Sequence, residues 1–252
     1  MSEHLHVTRA GGVVTLTMDR QDKKNALTDA MYGVMVDAME RAHADDTRVI
    51  VFRGAGEIFT AGNDLMEFAG VAMGKPLHNV GRFLHALAQA TKPLVAAVQG
   101  KAVGIGTTML LHCDHVILAD NAQLTTPFVN LALVPEAASS LLLPARIGYA
   151  RAYSMLALGE PVFAKDALAW GLANKVVPLS ELDAAVSEVT GRIVKQPLGA
   201  MIAAKQLMRD ATAIKTVMDR ESAEFMERLK SAEAREAFTA FTQRRAPDFT
   251  KV

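Results

Sequence analysis

The sequence predicts an α/β fold in which short buried strands alternate with helices, and three observations carry that expectation. Short apolar runs such as Val49–Phe52, Leu94–Val98 and Val116–Ala119 have the length and content of buried strands. Between them lie stretches whose apolar residues recur at helical spacing, as do Met31, Met35 and Met39. A strand, loop, helix, strand order then repeats along the chain, which argues for layers of both kinds of element rather than an all-α or all-β fold. Half of the 252 residues are hydrophobic, ample for a full core.

In chain order, Leu5–Ala10 and Val13–Met18 are β-rich runs split by Gly11 and Gly12, a hairpin signal. Asp19–Asn25 is polar and loop-like. Thr28 is a plausible N-cap for an amphipathic helix reaching about Asp46, and its methionines read as core packing. After the Val49–Phe52 strand comes a glycine-bearing loop, Gly54–Leu65. Met66–Pro76 has little periodicity and is expected to be a mobile loop, whereas Val80–Ala90 is helical. Strands are expected near Val116–Ala119, Gln123–Thr125 and Val176–Val177. Short helices over Ala137–Ile147, Ala150–Leu158 and Ala164–Trp170 are punctuated by Pro144, Gly148, Gly159 and Gly171. Beyond Pro178 everything reads as helix: Leu182–Lys195, Leu198–Met208, Thr216–Lys230 and Ala232–Arg244. The apolar faces of this tail need a partner, either the main body or another subunit.

Charge and cysteine content exclude several classes of function. Lys plus Arg number 27 against 27 for Asp plus Glu, so nothing in the net charge points to nucleic acid or an anionic membrane. The one cysteine, Cys113, rules out an internal disulfide framework and suits a reducing compartment. The first residues carry no apolar core of signal-peptide length, and no run reaches the ~20 apolar residues of a membrane span. The expectation is a cytoplasmic protein.

The chemistry concentrates in Pro93–Cys113. A buried strand ends in a glycine-rich elbow, Gly100, Gly104 and Gly106, and Thr107–His112 then looks helical. The N–H groups at such a helix start point back into the elbow and favour a negative oxygen. Met109 replaces the third glycine of a dinucleotide fingerprint, and Gly100-Lys101 lacks the Ser or Thr of a phosphate loop. His112, Cys113, Asp114 and His115 are adjacent, but consecutive side chains diverge, so no metal site is expected. Cys113 reads as a small buried apolar residue.

Glu136 is the informative acid, and two readings of it stand. Set between Pro135 and an apolar helix, its carboxyl should be partly desolvated and its pKa raised toward neutrality. Alternatively, it occupies the first turn of that helix and complements the dipole. Asp64 and Glu67 carry the same ambiguity, Asp64 leaning toward positioning.

Three stretches, FTAGNDL (Phe59–Leu65), KPLVAAVQGKAVGIG (Lys92–Gly106) and TPFVNLALVPEAASS (Thr126–Ser140), closely resemble the crotonase, or enoyl-CoA hydratase/isomerase, superfamily. NAL at Asn25–Leu27 and FTQRRAPDF at Phe241–Phe249 also fit, in the right order across nearly the whole chain. The resemblance implies a spiral of ββα units over residues 1–195 and a C-terminal helical trimerisation region over 196–252, as a homotrimer or a dimer of trimers. It implies an acyl-CoA thioester as ligand, its carbonyl oxygen held by the backbone N–H groups of Ala61 and Ile105, the latter flanked by Gly104 and Gly106. It further implies that Lys24, Asn25, Ala26 and Leu27, together with Ala61, Gly62, Asn63, Asp64 and Leu65, run along the CoA moiety.

Departures from the family pattern decide the expected reaction. Members that hydrate a double bond carry glutamates at the positions occupied here by Thr108 and Phe128. Water addition needs one group to activate water and another to deliver a proton, so their loss argues against efficient hydration. Pro135-Glu136, with TPF and GNDL, resembles instead the peroxisomal-type delta-3, delta-2-enoyl-CoA isomerase branch, in which one glutamate is the sole acid-base group. Glu136 is then the proton shuttle from 3-enoyl-CoA to trans-2-enoyl-CoA, with no cofactor beyond the CoA of the substrate. Phe128, Val129, Leu131 and Leu133 are expected to supply its apolar surroundings. Asn130 either lines the site or faces solvent. Two rivals remain: another crotonase-type reaction on an acyl-CoA, hydration included, and a silent acyl-CoA-binding scaffold.

Overall fold

The computed structural model describes residues 3–72 and 75–252. Strands β1 (Leu5–Ala10) and β2 (Val13–Met18) form the expected hairpin, antiparallel with Leu5 opposite Met18. Helix α1 (Asp29–Ala44) starts where the sequence placed its cap: the Thr28 hydroxyl accepts from the Met31 N–H. Met31, Tyr32, Met35 and Met39 on its inner face are buried. There follow β3 (Val49–Gly54), α2 (Leu65–Ala72), α3 (Val80–Gln89), β4 (Leu94–Val98), β5 (Lys101–Val103), α4 (Ile105–Thr108), β6 (His115–Ala119) and β7 (Gln123–Thr125). The chain continues through α5 (Ser139–Ile147), α6 (Tyr149–Leu156), β8 (Val162–Phe163), α7 (Ala164–Ala169), β9 (Lys175–Val177), α8 (Leu182–Lys195), α9 (Leu198–Met208), α10 (Ala211–Leu229) and α11 (Ala232–Thr242).

Among the described residues these strands make two sheets, one ordered β1-β2-β3-β4-β6-β9 and the other β5-β7-β8. From β2 onward the larger sheet is parallel, and both faces of its centre are covered, so its strands are continuously apolar. Ile50, Phe52, Leu94, Ala96, Val116 and Leu118 face α1 and α3 in the main core. Val49, Val51, Val95, Ala97, Ile117 and Ala119 pack on Leu182, Ala185 and Val189 of α8. From β4 to β7 successive strands go to alternate sheets: β5 follows β4, and β7 follows β6. That alternation is the spiral of ββα units. Isolated bridges Thr60 to Ala102 and Leu27 to Asn63 extend the smaller layer, bringing three distant loops side by side.

Several expectations are corrected. The segment from Leu65 to Ala72 is helical, not a loop; the remainder of that expectation partly concerns residues 73–74, outside the described residues. The elbow does not lead straight from β4 to a helix, because β5 intervenes and pairs with β7. Pro144 lies within α5 rather than ending it. The tail turns its apolar face to the body: Ile214, Met218 and Leu229 of α10 are buried in the main core. On α9, by contrast, Leu207 and Met208 are exposed. No helix of the described residues is long and apolar enough to cross a membrane.

Candidate active site

The loop after β3 is tied to the one before α1 by a ladder of backbone bonds. Ala61 N–H donates to the Lys24 carbonyl at 2.9 Å, Leu27 N–H to Gly62 at 2.8 Å and Asp64 N–H to Leu27 at 2.9 Å. The Thr60 hydroxyl, wholly buried, donates to the Asn25 carbonyl at 2.6 Å and accepts from the Gly62 N–H at 3.0 Å. Gly62 has φ 87, and a Cβ on it would lie 2.7 Å from the Val103 carbonyl oxygen, so only glycine lets this loop press against β5. One N–H of the run is left without a partner among the described residues: that of Asn63.

This corrects the expectation for Ala61. Its N–H is already donated to Lys24 and is not available for a thioester oxygen, whereas that of Asn63, two residues on, is. The second expected donor, Ile105, lies at the start of α4. Gly104 (φ 56) turns the chain into α4, and Thr107 and Thr108 both donate to the Gly104 carbonyl at 2.9 and 3.0 Å. Ile105, as the first helical residue, keeps its N–H without an intrahelical partner.

Two cavities meet at Asn63. The larger, about 560 Å3, is lined by Lys24, Ala26, Ala61, Gly62, Asn63, Asp64, Leu65, Gly104, Phe128 and Asn130, with Phe225 and Phe241 from the C-terminal helices. The smaller, about 290 Å3, contains Glu136 and is walled by Phe68, Leu77, Val80, Leu84, Phe225, Met226 and Leu229. Asn63, Phe68 and Phe225 belong to both, and the Phe68 and Phe225 rings meet edge to face at 6.0 Å. Asn25 and Leu27 do not reach either cavity. Asn25, fully buried, accepts from the Arg20 N–H at 2.8 Å and donates to the Ala55 and Ile58 carbonyls at 2.9 Å, so it holds the loops together rather than a ligand. Asp64 also positions: it pairs with Arg20 at 2.6 Å and accepts from the Met66 N–H at the start of α2. Burial pushes its pKa up, but Arg20 and these N–H groups outweigh that and hold it below the ordinary value. Glu67 accepts from the Asp29 N–H at 2.7 Å, at the start of α1.

Glu136 is 7% exposed, and its Oε1 accepts from the Thr108 hydroxyl at 2.5 Å. Burial lifts its pKa to about 8, against the lowering effect of the Thr108 bond and with help from the charge of Glu221. Its apolar surroundings come from α2, α3 and α10. Phe128, Leu131 and Leu133 line the other cavity instead, and Val129 is exposed, which corrects the expectation that this segment desolvates the acid. Asn130 is exposed and is among the residues lining the larger cavity. Nor does Glu136 sit in the first turn of α5: two left-handed residues separate them, and the acid at that helix start is Glu221, accepting from the Ala138 N–H at 2.6 Å and the Ser140 N–H at 2.9 Å. Cys113 is buried, its thiol pushed up to about 12 by burial first and by Asp114 second, so it is no nucleophile near neutral pH. His112 is spoken for by the Ala137 carbonyl and by Arg209, and burial holds its pKa down to about 3.

Sequence reasoning missed Tyr32 and Glu221. The buried Tyr32 hydroxyl donates to the Asn63 side-chain oxygen, and burial, then the nearby Glu136, raises its pKa, so it stays a donor. Glu221 had a legible signal. It falls on the apolar stripe Ile214, Met218, Phe225 and Leu229, where a charged residue needs a buried purpose.

Comparison with known proteins agrees with this architecture. A family profile described as Enoyl-CoA hydratase/isomerase matches residues 8–252. Enoyl-CoA delta isomerase 2 of Rattus norvegicus is 35% identical over 97% of this chain, which spans 64% of that relative's length. The 2,3-dehydroadipyl-CoA hydratase of Escherichia coli K12 is 32% identical over 99% of each chain. The crystal structure of an enoyl-CoA hydratase/isomerase from Pseudoalteromonas atlantica T6c superposes with a TM-score of 0.93 at 37% identity, over 98% of this chain and 100% of that one. With a glycine elbow, an unpartnered N–H at Asn63 beside a cavity and this match along almost its entire length, the chain belongs to the enoyl-CoA hydratase/isomerase family of crotonase-fold enzymes.

Proposed function

We propose that the protein isomerises 3-enoyl-CoA to trans-2-enoyl-CoA, with Glu136 as the one proton shuttle. The observation that carries this reading is the buried carboxyl of Glu136 in an apolar chamber that meets, at Asn63, the cavity lined by Asn63 and by Gly104, the residue before Ile105. The thioester oxygen accepts from Asn63 and Ile105, and CoA lies along the larger cavity past Lys24 and under Phe241. Ionised Glu136 takes a proton from carbon 2; the C2–H electron pair becomes the carbon 1–carbon 2 double bond, the carbonyl π pair moves onto the thioester oxygen, and the carbon 3–carbon 4 double bond stays conjugated with it. The resulting dienolate collapses to the conjugated ester as the same carboxyl returns the proton to carbon 4. Thr108 anchors one carboxyl oxygen and leaves the other to shuttle.

Each backbone donor is worth ~100 to 1000-fold in turnover and the positioned base ~100 to 10,000-fold. No metal or redox cofactor enters the step as written. Hydration is the second reading, favoured by the likeness to the Escherichia coli hydratase. Thr108 and Phe128 stand where it would need carboxylates, and Phe128 faces the other cavity. Self-association as a homotrimer or dimer of trimers is part of the proposal, with the exposed Leu207 and Met208 of α9 among the candidate contacts.

The deciding assay gives the protein 3-hexenoyl-CoA and 2-hexenoyl-CoA side by side. The isomerase reading expects conjugated product from the first, at least ~100-fold less in Glu136→Gln, with CoA-ester binding kept. Rapid formation of the 3-hydroxyacyl ester would establish hydration instead. Binding without any turnover would establish a scaffold.

A further inference from the structure

The turn that carries Glu136 is held from behind by a second buried acid. Ala137 and Ala138 both take the left-handed conformation, φ 58 and 54, in which an alanine is strained. Surrounding groups must therefore fix them. The Glu221 carboxylate of α10 accepts from the Ala138 N–H at 2.6 Å, the Ser140 N–H at 2.9 Å and the Ser140 hydroxyl at 2.5 Å. All three partners are donors, a pattern that a carboxylate satisfies and a side-chain amide does not. On the opposite side, His112 Nδ1 accepts from Arg209, so its Nε2 carries the hydrogen donated to the Ala137 carbonyl at 2.7 Å. The peptide group joining Ala137 to Ala138 is thus anchored at both its carbonyl and its N–H by side chains remote in sequence.

We propose that Glu221 is the positioning residue of the shuttle, its carboxylate locking the left-handed turn so that Glu136 faces the acyl chamber instead of lying along α5. The inference rests on the isomerase reading for its kinetic consequence, though not for its geometry. The titratable groups near the Glu136 carboxyl are Tyr32 from α1 and Glu221 from α10, with the neutral Thr108 hydroxyl from α4; burial raises the pKa of Glu221, opposed by its bonds from Ser140 and Ala138 and by the charge of Arg220. Removing the Glu221 charge should therefore let Glu136 ionise at lower pH.

The test compares wild type with Glu221→Gln. Loss of positioning is expected to lower kcat ~10 to 100-fold with KM nearly unchanged, and to move the acid limb of the pH–rate profile down. Independently of turnover, carboxyl carbon NMR of glutamate-labelled protein, with the Glu136 signal identified by its loss in Glu136→Gln, should show that signal titrating at lower pH. Ala138→Gly combined with Glu221→Gln guards against a misfolded single variant. Glycine accepts the left-handed turn unaided, so the double variant should recover part of the lost kcat. An unmoved NMR midpoint, an unchanged kcat, or a double variant no better than a folded Glu221→Gln would each overturn the proposal. A wild type that moves no double bond would defeat the isomerase reading, and the NMR midpoint would still decide the role of Glu221.

Discussion

Replacing Glu136 with glutamine should make the protein more stable and less active, with the gain in stability rising across a defined pH window. Burial raises the folded-state pKa from 4.5 to about 8. At about 1.4 kcal/mol per pH unit this amounts to roughly 5 kcal/mol, and relaxation around the ionised group leaves about 2 to 5 kcal/mol to be measured. The sign follows from proton linkage. Between pH 4.5 and about 8 the folded protein keeps a proton that the unfolded chain has released, so wild-type stability falls as pH rises through that window and levels off above it. Glutamine has no such dependence, and its carbonyl oxygen still accepts from the Thr108 hydroxyl. Urea unfolding at pH 5, 7 and 9 would measure this. The variant should gain little at pH 5 and the full amount at pH 9, while isomerase turnover falls at least ~100-fold. A stability difference that does not change with pH would refute the desolvated-carboxyl argument.

Other changes probe the supporting geometry. Thr108→Val removes the hydroxyl that draws the Glu136 pKa downward, so the rising limb of kcat/KM against pH should move to higher pH; a limb that stays in place would show that the bond does not reach the working carboxyl. Gly62→Ala forces a Cβ against the Val103 carbonyl at a positive φ, and should lower unfolding free energy by about 1 to 3 kcal/mol and weaken CoA-ester binding by separating the two donor loops. Asn25→Ala leaves the Ala55 and Ile58 carbonyls without their buried donor and should destabilise by about 1 to 3 kcal/mol, seen in thermal melts with CoA-ester affinity reduced only as far as the loop loosens.

Local features were legible in the sequence, and contacts between distant segments were not. Thr28 announced the start of α1 and the glycines of the elbow announced a helix N-terminus, both from neighbours within a few residues; Ile105 as a donor came from the family resemblance, and the setting of Glu136 left a desolvated acid as one of two readings. The misassignment of Ala61 has a different origin. Whether its N–H or that of Asn63 is free depends on the Lys24 carbonyl, which reaches the loop only through tertiary pairing. Asn25 likewise reads as a ligand contact until its amide is seen tied to Ala55 and Ile58. The walls around Glu136 come from α2, α3 and α10, so neither Phe225 nor Leu84 could be placed there by spacing. Strands β5 and β8 are too short to leave a periodic signal, and the chain turns into them because the smaller layer pairs them with β7.

The central claim is that one carboxyl carries one proton across the face of the substrate. A 3-hexenoyl-CoA deuterated at carbon 2, converted by the wild-type protein in ordinary water and followed by proton and deuterium NMR, tests it most directly. Transfer by Glu136 within the water-poor chamber requires trans-2-hexenoyl-CoA with deuterium at carbon 4, and no such product from Glu136→Gln. Conjugated product bearing only solvent hydrogen at carbon 4, or a 3-hydroxyacyl ester in its place, would contradict the account.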